Sequence, residues 1–302
     1  MGSKLGVIDL GSNTFHILIV RRNIDGSLVT LHKERAFVNL AENGIEQLSE
    51  EAMDRGIAAL VKFSESLKKY DVSRFSVIGT SALRSASNSL IFCQRIKNQL
   101  GIDIDIIDGD REAELIYKGV RELMKLDDGP QIIMDVGGGS VEFVLVENDL
   151  LTWSASYNLG VGVLHNLINI TDPRTKEDIN TISQFIDKEL KSLKAIVSEK
   201  SIDAIIGASG SFEVVQIMNG EEVSSNSMTE ISLADYHYIS QRIISSTVAE
   251  RMNMKGLPES RVKLIVVAMI LIDKAIEIIK PKRLLVSPFA LKEGVLSELT
   301  SS

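Results

Sequence analysis

The chain has 302 residues, 44% of them hydrophobic and 25% charged, and a formal net charge of −8, an ordinary globular composition with room for about two domains. The acidic balance excludes a general nucleic-acid binder, because affinity for a phosphate backbone needs clustered Lys and Arg; a polyanionic ligand would have to meet a local basic pocket. The single cysteine, Cys93, excludes an internal disulfide and a C-x-x-C zinc site and suits the cytoplasm, while the longest apolar run, 264–272, is too short to span a bilayer and reads as a buried helix.

From the N-terminus the chain passes almost directly into strand pattern, with no secretory apolar segment expected. Gly6-Val7-Ile8-Asp9 runs into the turn Gly11-Ser12-Asn13-Thr14, and residues 15–20 are an apolar run interrupted at His16; β-branched apolar runs on both sides of a Gly-bearing turn predict a β-hairpin. Strand material continues to about 38, and a helix is expected over 49–69. Strand and helix then alternate: strand 76–79, helix 88–100 stopped by Gly101, strand 102–107, helix 110–124. Asp127-Asp128-Gly129-Pro130 cannot continue a helix and sets a domain boundary at 126/127. Strands through 156 follow, then helix 176–197, strand 204–207, helices 233–249 and 260–279, strand 283–286 and a last helix near 290–299.

Ile133-Met134-Asp135-Val136-Gly137-Gly138-Gly139-Ser140 followed by 141–146 repeats the opening hairpin pattern, so the chain predicts two related lobes facing one phosphate. Glycines let consecutive backbone N–H groups converge on phosphate oxygens as an anion-binding nest. The Asp beside each turn, Asp9 or Asp135, would then reach a metal held by those oxygens. Asp135 and Glu142 bracket one turn as a hard-cation pair suited to Mg²⁺, which keeps waters and uses one or two carboxylates; a solvent-facing Glu142 fits the pattern as well. A third Gly/Ser turn, Gly207-Ala208-Ser209-Gly210-Ser211, reads either as an anion loop or as a plain βα connection.

Arg84, inside Thr80-Ser81-Ala82-Leu83-Arg84-Ser85-Ala86-Ser87-Asn88, suits bidentate phosphate grip, although helix capping by Ser87 or Asn88 accounts for much of this segment. Glu112 opens a helix, where acids complement the macrodipole; its place after the last strand of the first lobe also suits a general base pointing into an interlobe cleft. No G-x-x-x-x-G-K-[ST] loop occurs. The four histidines, His16, His32, His165 and His237, form no ligand pair. Cys93 lies in a helical pattern and reads as a buried apolar residue.

The segments 9–14, 80–88, 109–113, 135–142 and 284–296 together resemble the exopolyphosphatase / guanosine pentaphosphate phosphohydrolase family, over nearly the whole chain and in the right order. The resemblance implies an α/β fold of two ribonuclease-H-like, actin-like lobes around a cleft, spanning 1–126 and 127–288, with a C-terminal helix at about 289–302 returning to the first. It implies Mg²⁺-dependent hydrolysis of terminal phosphates of polyphosphate or of guanosine pentaphosphate. Glu112 would be the base, Asp135 and Glu142 would hold metal, and Asn13, Arg84, Gly138, Gly139 and Ser140 would hold phosphate. Val141, Lys292, Lys263 and Ala268 depart from the Thr, Arg, Asp and Gly usual in the family. With no helical C-terminal domain expected after Ser302, a preference for short polyphosphate follows, and a homodimer is the expected assembly. A sugar kinase of the same superfamily and a non-enzymatic actin-like nucleotide sensor or filament subunit are the rival readings.

Overall fold

The apolar runs on either side of the Gly11 turn pair as β1 (Lys4–Leu10) and β2 (Thr14–Arg22), antiparallel, with Asp9 opposite His16 and Leu10 opposite Phe15. The computed structural model describes residues 3–123, 126, 129–167, 171–208, 210–222 and 227–301. β3 (Leu28–Phe37) completes an antiparallel meander. The Ser49 hydroxyl accepts the Ala52 N–H and caps α1 (Glu50–Lys69), whose Met53, Leu60, Phe63 and Leu67 fall on one buried stripe. That helical crossover sets β4 (Arg74–Gly79) parallel to β1. Next come α2 (Ser81–Ser85), α3 (Ser89–Leu100), a short β5 (Asp105–Ile106) parallel to β4, and α4 (Gly109–Arg121). The sheet runs β3-β2-β1-β4-β5.

The second unit repeats the plan. β6 (Gln131–Val136), β7 (Val141–Glu147) and β8 (Leu150–Tyr157) form the meander, followed by α5 (Val161–Asn166), α6 (Lys176–Glu189) and α7 (Lys191–Val197). β9 (Ala204–Gly207) joins β6 in parallel. α8 (Gly210–Met218), β10 (Thr229–Ile231), α9 (Leu233–Ile244), α10 (Val248–Met252), a 3₁₀ turn at Glu259–Arg261, α11 (Ile265–Ile279) and β11 (Arg283–Val286) follow. The order β10-β11-β9-β6-β7-β8 contains the same meander-then-parallel arrangement as the first sheet, with β10 added antiparallel at the edge. Both are mixed α/β sheets in the ribonuclease-H-like order. α11 is apolar on nearly every face and is buried from Ile265 to Ile272, as a core helix must be; among the described residues no helix is long and apolar enough to cross a membrane.

The last helix, α12 (Leu291–Ser301), packs on β1 and β4. Its Glu298 takes Lys118 Nζ of α4 at 2.7 Å and also pairs with Arg111. The compact units are Met1–Gly119 with Leu291–Ser302, and Val120–Ala290. They part at 119/120, not at 126/127, because Arg121 and the Leu126 N–H both bond the buried Asp149 carboxylate, the guanidinium at 2.7 and 3.1 Å and the N–H at 3.2 Å. Asp127 and Asp128, on which the sequence boundary rested, lie outside the described residues.

Several expected elements change. The strand expected over 102–107 pairs only at Asp105 and Ile106. The 176–197 helix breaks at Leu190 into α6 and α7, and 233–249 breaks into α9 and α10 because Thr247 starts a new capping box with Glu250. Neither Ser87 nor Asn88 caps α3: the Asn88 amide clamps Leu48, accepting its N–H and donating to its carbonyl, both at 2.9 Å, and Ser87 bonds the Glu46 carbonyl. Cys93 is only half-buried, its thiol pushed up by desolvation.

Candidate functional site

The β6–β7 register places Asp135 directly opposite Glu142, and Val136 opposite Val141, so Gly137 to Ser140 form the turn. Directly opposed residues share one face with Cβ atoms about 5 Å apart, which brings the two carboxylates together. Glu142 is buried, not solvent-facing, and accepts a hydrogen bond from Ser156 Oγ at 2.7 Å. Among the described residues no group of three or more His, Cys, Asp or Glu side chains is arranged to hold a metal. A half-buried Asp135 and a buried Glu142 on one face nevertheless fit a hard cation that retains most of its waters.

The segment entering α5 braces the glycine turn. The N–H groups of Gly160, Val161 and Gly162 donate to the carbonyls of Gly139, Gly137 and Gly138 at 3.2, 3.0 and 2.8 Å. In a trans peptide the carbonyl and the following N–H point in opposite directions. The N–H groups of Gly138, Gly139 and Ser140 are therefore turned away from α5, the arrangement an anion nest requires. A Cβ on Gly160 would stand 2.4 Å from the backbone of Gly138 and Gly139, so this close approach demands glycine. Gly160 and Gly162 are residues that motif reading passed over; the signal was a second G-x-G opening a helix after the third strand of the meander.

Unit 1 repeats the device with different side chains. A Cβ on Gly11 would meet the Thr14 carbonyl oxygen at 2.9 Å, and one on Gly137 the Ser140 oxygen at 3.0 Å, so the two turns share their backbone course. Here the brace is the segment after β3, in which Val38 and Asn39 N–H groups donate to Asn13 O at 3.0 and 2.8 Å, and Ala41 N–H to Ser12 O at 3.2 Å. Ser12 Oγ is buried and has no hydrogen-bond partner, a polar atom left for a ligand. Asp9 keeps a partly exposed surface, yet desolvation raises its carboxyl to about 6, against the opposing charge of Lys292 and with the help of Glu293. Both of these neighbours come from α12.

Arg84 and Glu112, separate candidates in the sequence, meet. Arg84 Nη1 donates to Glu112 Oε2 at 2.9 Å and to the Ile107 carbonyl at 2.9 Å. Arg84 stands on α2, a helix not anticipated from the sequence, and Glu112 sits in the first turn of α4, where the Asp108 carboxylate accepts the Arg111 N–H at 2.8 Å. The Glu112 side chain is 8% exposed, so its carboxylate meets the guanidinium largely away from water.

At the third turn Gly207 makes room for the Phe212 ring, whose nearest atoms lie 2.2 Å from where a Cβ would be, and Gly210 for the Arg261 guanidinium, 1.9 Å from its Cβ position. Packing thus accounts for Gly207. Arg261 places a cation at the start of α8, a residue whose signal, an Arg ahead of the α11 apolar run, pointed nowhere in particular. Ser209 lies outside the described residues.

Comparison with known proteins identifies relatives of the whole chain. An exopolyphosphatase from Cytophaga hutchinsonii is 34% identical, with a TM-score of 0.94 over 99% of this chain and 98% of that one. A Ppx/GppA family member from Aquifex aeolicus, 23% identical, shares the fold with a TM-score of 0.82 over 99% of this chain and 98% of its own. A guanosine-5'-triphosphate,3'-diphosphate pyrophosphatase from Photobacterium profundum is 30% identical over 97% of this chain, which spans only 59% of that relative's length. Residues 19–302 match the family as a whole, and the chain therefore belongs to the Ppx/GppA phosphatase family.

Proposed function

We propose that the chain is a Mg²⁺-dependent exopolyphosphatase that releases terminal orthophosphate from inorganic polyphosphate. The observation that carries this is the β6–β7 hairpin: an acid pair in register beside a turn whose N–H groups face away from its brace. The Gly138, Gly139 and Ser140 N–H groups of unit 2 are donors for a terminal phosphate, and within unit 1 Asn13, Arg84 and the Gly11 turn are donors of the same kind. Glu112 accepts the proton of the attacking water, and its ion pair with Arg84 orients it. Asp135 and Glu142 hold Mg²⁺, which when bound neutralises charge on the phosphate oxygens. Within unit 1, Asp9 is a further acid suited to a cation, since a carboxyl raised by burial gains from a nearby positive charge. Phosphoryl transfer needs little beyond such positioning and neutralisation.

Support for polyphosphate comes from the Cytophaga hutchinsonii exopolyphosphatase, matched along 98% of its length. The 30% identity with the Photobacterium profundum pyrophosphatase favours guanosine pentaphosphate as the second reading. Phosphate release from each substrate, measured side by side as kcat/KM, decides between them; no release from either overturns the proposal. Asp135→Asn should raise the Mg²⁺ concentration needed for half-maximal activity while excess Mg²⁺ restores the rate. Full wild-type activity in chelator would remove the metal assignment.

A further inference from the structure

Arg174, just before the Thr175 cap of α6, has a side-chain environment that the proposed chemistry does not use. Its Nη1 is buried and has no hydrogen-bond partner, and its Nη2 lies 3.5 Å from His165 Nδ1. The two nearest carboxylates are committed elsewhere. Asp172 accepts the Val248 N–H at 2.9 and 2.8 Å and Arg251 Nη2 at 3.3 Å, while Asp178 accepts the Thr175 N–H at 3.0 Å and the Thr171 hydroxyl. Among the described residues neither forms an ion pair with Arg174. The other charges felt here are cationic. Arg251 is buried and fixed on the Val262 carbonyl at 3.0 Å, and Lys263 acts on His165. Burial first, then Arg174 and Lys263, depress the His165 imidazole, which in either protonation state supplies no negative charge to Arg174. With Nδ1 facing a guanidinium donor, its proton sits on Nε2, a further donor.

We infer that unit 2 carries a second oxyanion site, formed by Arg174, Lys263 and His165, which binds a phosphate group. A guanidinium fork, an ammonium and an imidazole N–H are the donors that tetrahedral oxyanions use, and a bound anion would satisfy the Nη1 that the fold leaves unpaired. The site is linked to the glycine turn through α5, whose first residues brace Gly137 to Gly139 and whose last turn carries His165, about 6 Å further along the axis. Two sources share this chemistry: free orthophosphate, or an inner phosphate of a polyphosphate chain whose end lies on the turn. The second source rests on the proposed exopolyphosphatase reading; the first does not.

The test is equilibrium binding, by calorimetry, of orthophosphate, tripolyphosphate and long-chain polyphosphate to the Glu112→Gln protein, with and without Arg174→Gln or Lys263→Gln. Lys263 is exposed, so its variant will fold, and Arg174→Lys separates loss of charge from loss of the fork. At least tenfold weaker orthophosphate binding in both Gln variants identifies the free ion as ligand. Unchanged orthophosphate and tripolyphosphate binding with tenfold weaker long-chain binding identifies the chain. In phosphate-free buffer Arg174→Gln should melt no lower than its parent, and phosphate should raise the melting temperature of the parent more. Identical isotherms for all three ligands in parent and variants overturn the site, whatever the catalytic assays show.

Discussion

The hairpin turn of unit 1 and that of unit 2 have the same length, the same first glycine and the same backbone course, yet opposite Asp9 stands His16 while opposite Asp135 stands Glu142. Their braces also differ: residues 38–41 after β3 in the first, 160–162 entering α5 in the second. The difference teaches that the repeated backbone turns its N–H groups away from the bracing segment in both places, whereas the cross-strand partner decides what else gathers there. An acid opposite an acid invites a cation. An acid opposite an imidazole forms no such pair, and unit 1 holds a buried carboxylate of its own, Glu112, on a helix beside Arg84.

Glu112→Gln is the hardest test of that division of labour. It should lower kcat by 10²–10⁴, about 3–5 kcal/mol of barrier, with substrate binding nearly intact, whereas His16→Gln should cost less than about tenfold. A folded Glu112→Gln protein retaining more than about a tenth of wild-type kcat would return the base to some other residue.

The two braces can be set against each other next. Gly160→Ala pushes a methyl group against the Gly138 and Gly139 backbone, 2.4 Å away; displacing the turn by about 1 Å should cost about 10²-fold in kcat. Gly11→Ala meets one carbonyl oxygen at 2.9 Å and should cost less. Equal losses in steady-state assays would mean that the two turns contribute alike.

Asp9 separates the turns by pH. Its folded carboxyl sits near 6, above its unfolded value of 3.8, so between these values the folded state binds more protons and stability falls as pH rises. In metal-free buffer, urea unfolding should show Asp9→Asn gaining on wild type from pH 4 to 7 by at most about 3 kcal/mol, and Mg²⁺ should shrink the gain. A difference that does not vary with pH would show that burial is not straining this carboxylate.

The smallest effect concerns what backs each unit. α12 is tied to α4 by Glu298, Arg111 and Lys118, all part-exposed, so Glu298→Gln should cost less than about 1 kcal/mol and less still in high salt. A loss of several kcal/mol in urea unfolding would make this network, and not apolar packing, the anchor of α12.

Signals carried within a few residues of one another were legible in the sequence. Strands 204–207 and 283–286 appear at the expected bounds, the 264–272 run is core helix, and both Gly-bearing turns close hairpins, because apolar runs and turn chemistry act locally. Signals that depend on distant partners were not legible. Asn88 looks like a cap until Leu48 takes its amide 40 residues away, and 102–104 look like strand although β4 offers partners only at Ile78 and Gly79. Arg84 and Glu112 become one ion pair only when β4 and β5 lie side by side. Gly160 shows no purpose until its N–H finds the Gly139 carbonyl. Apolar runs and glycine spacing specified where the chain turns and which residues face inward, since one strand or one turn suffices to settle them. Register, bracing and charge pairing waited on the assembled sheets, since a carboxylate's partner is set by whichever backbone the packed core brings within hydrogen-bond reach.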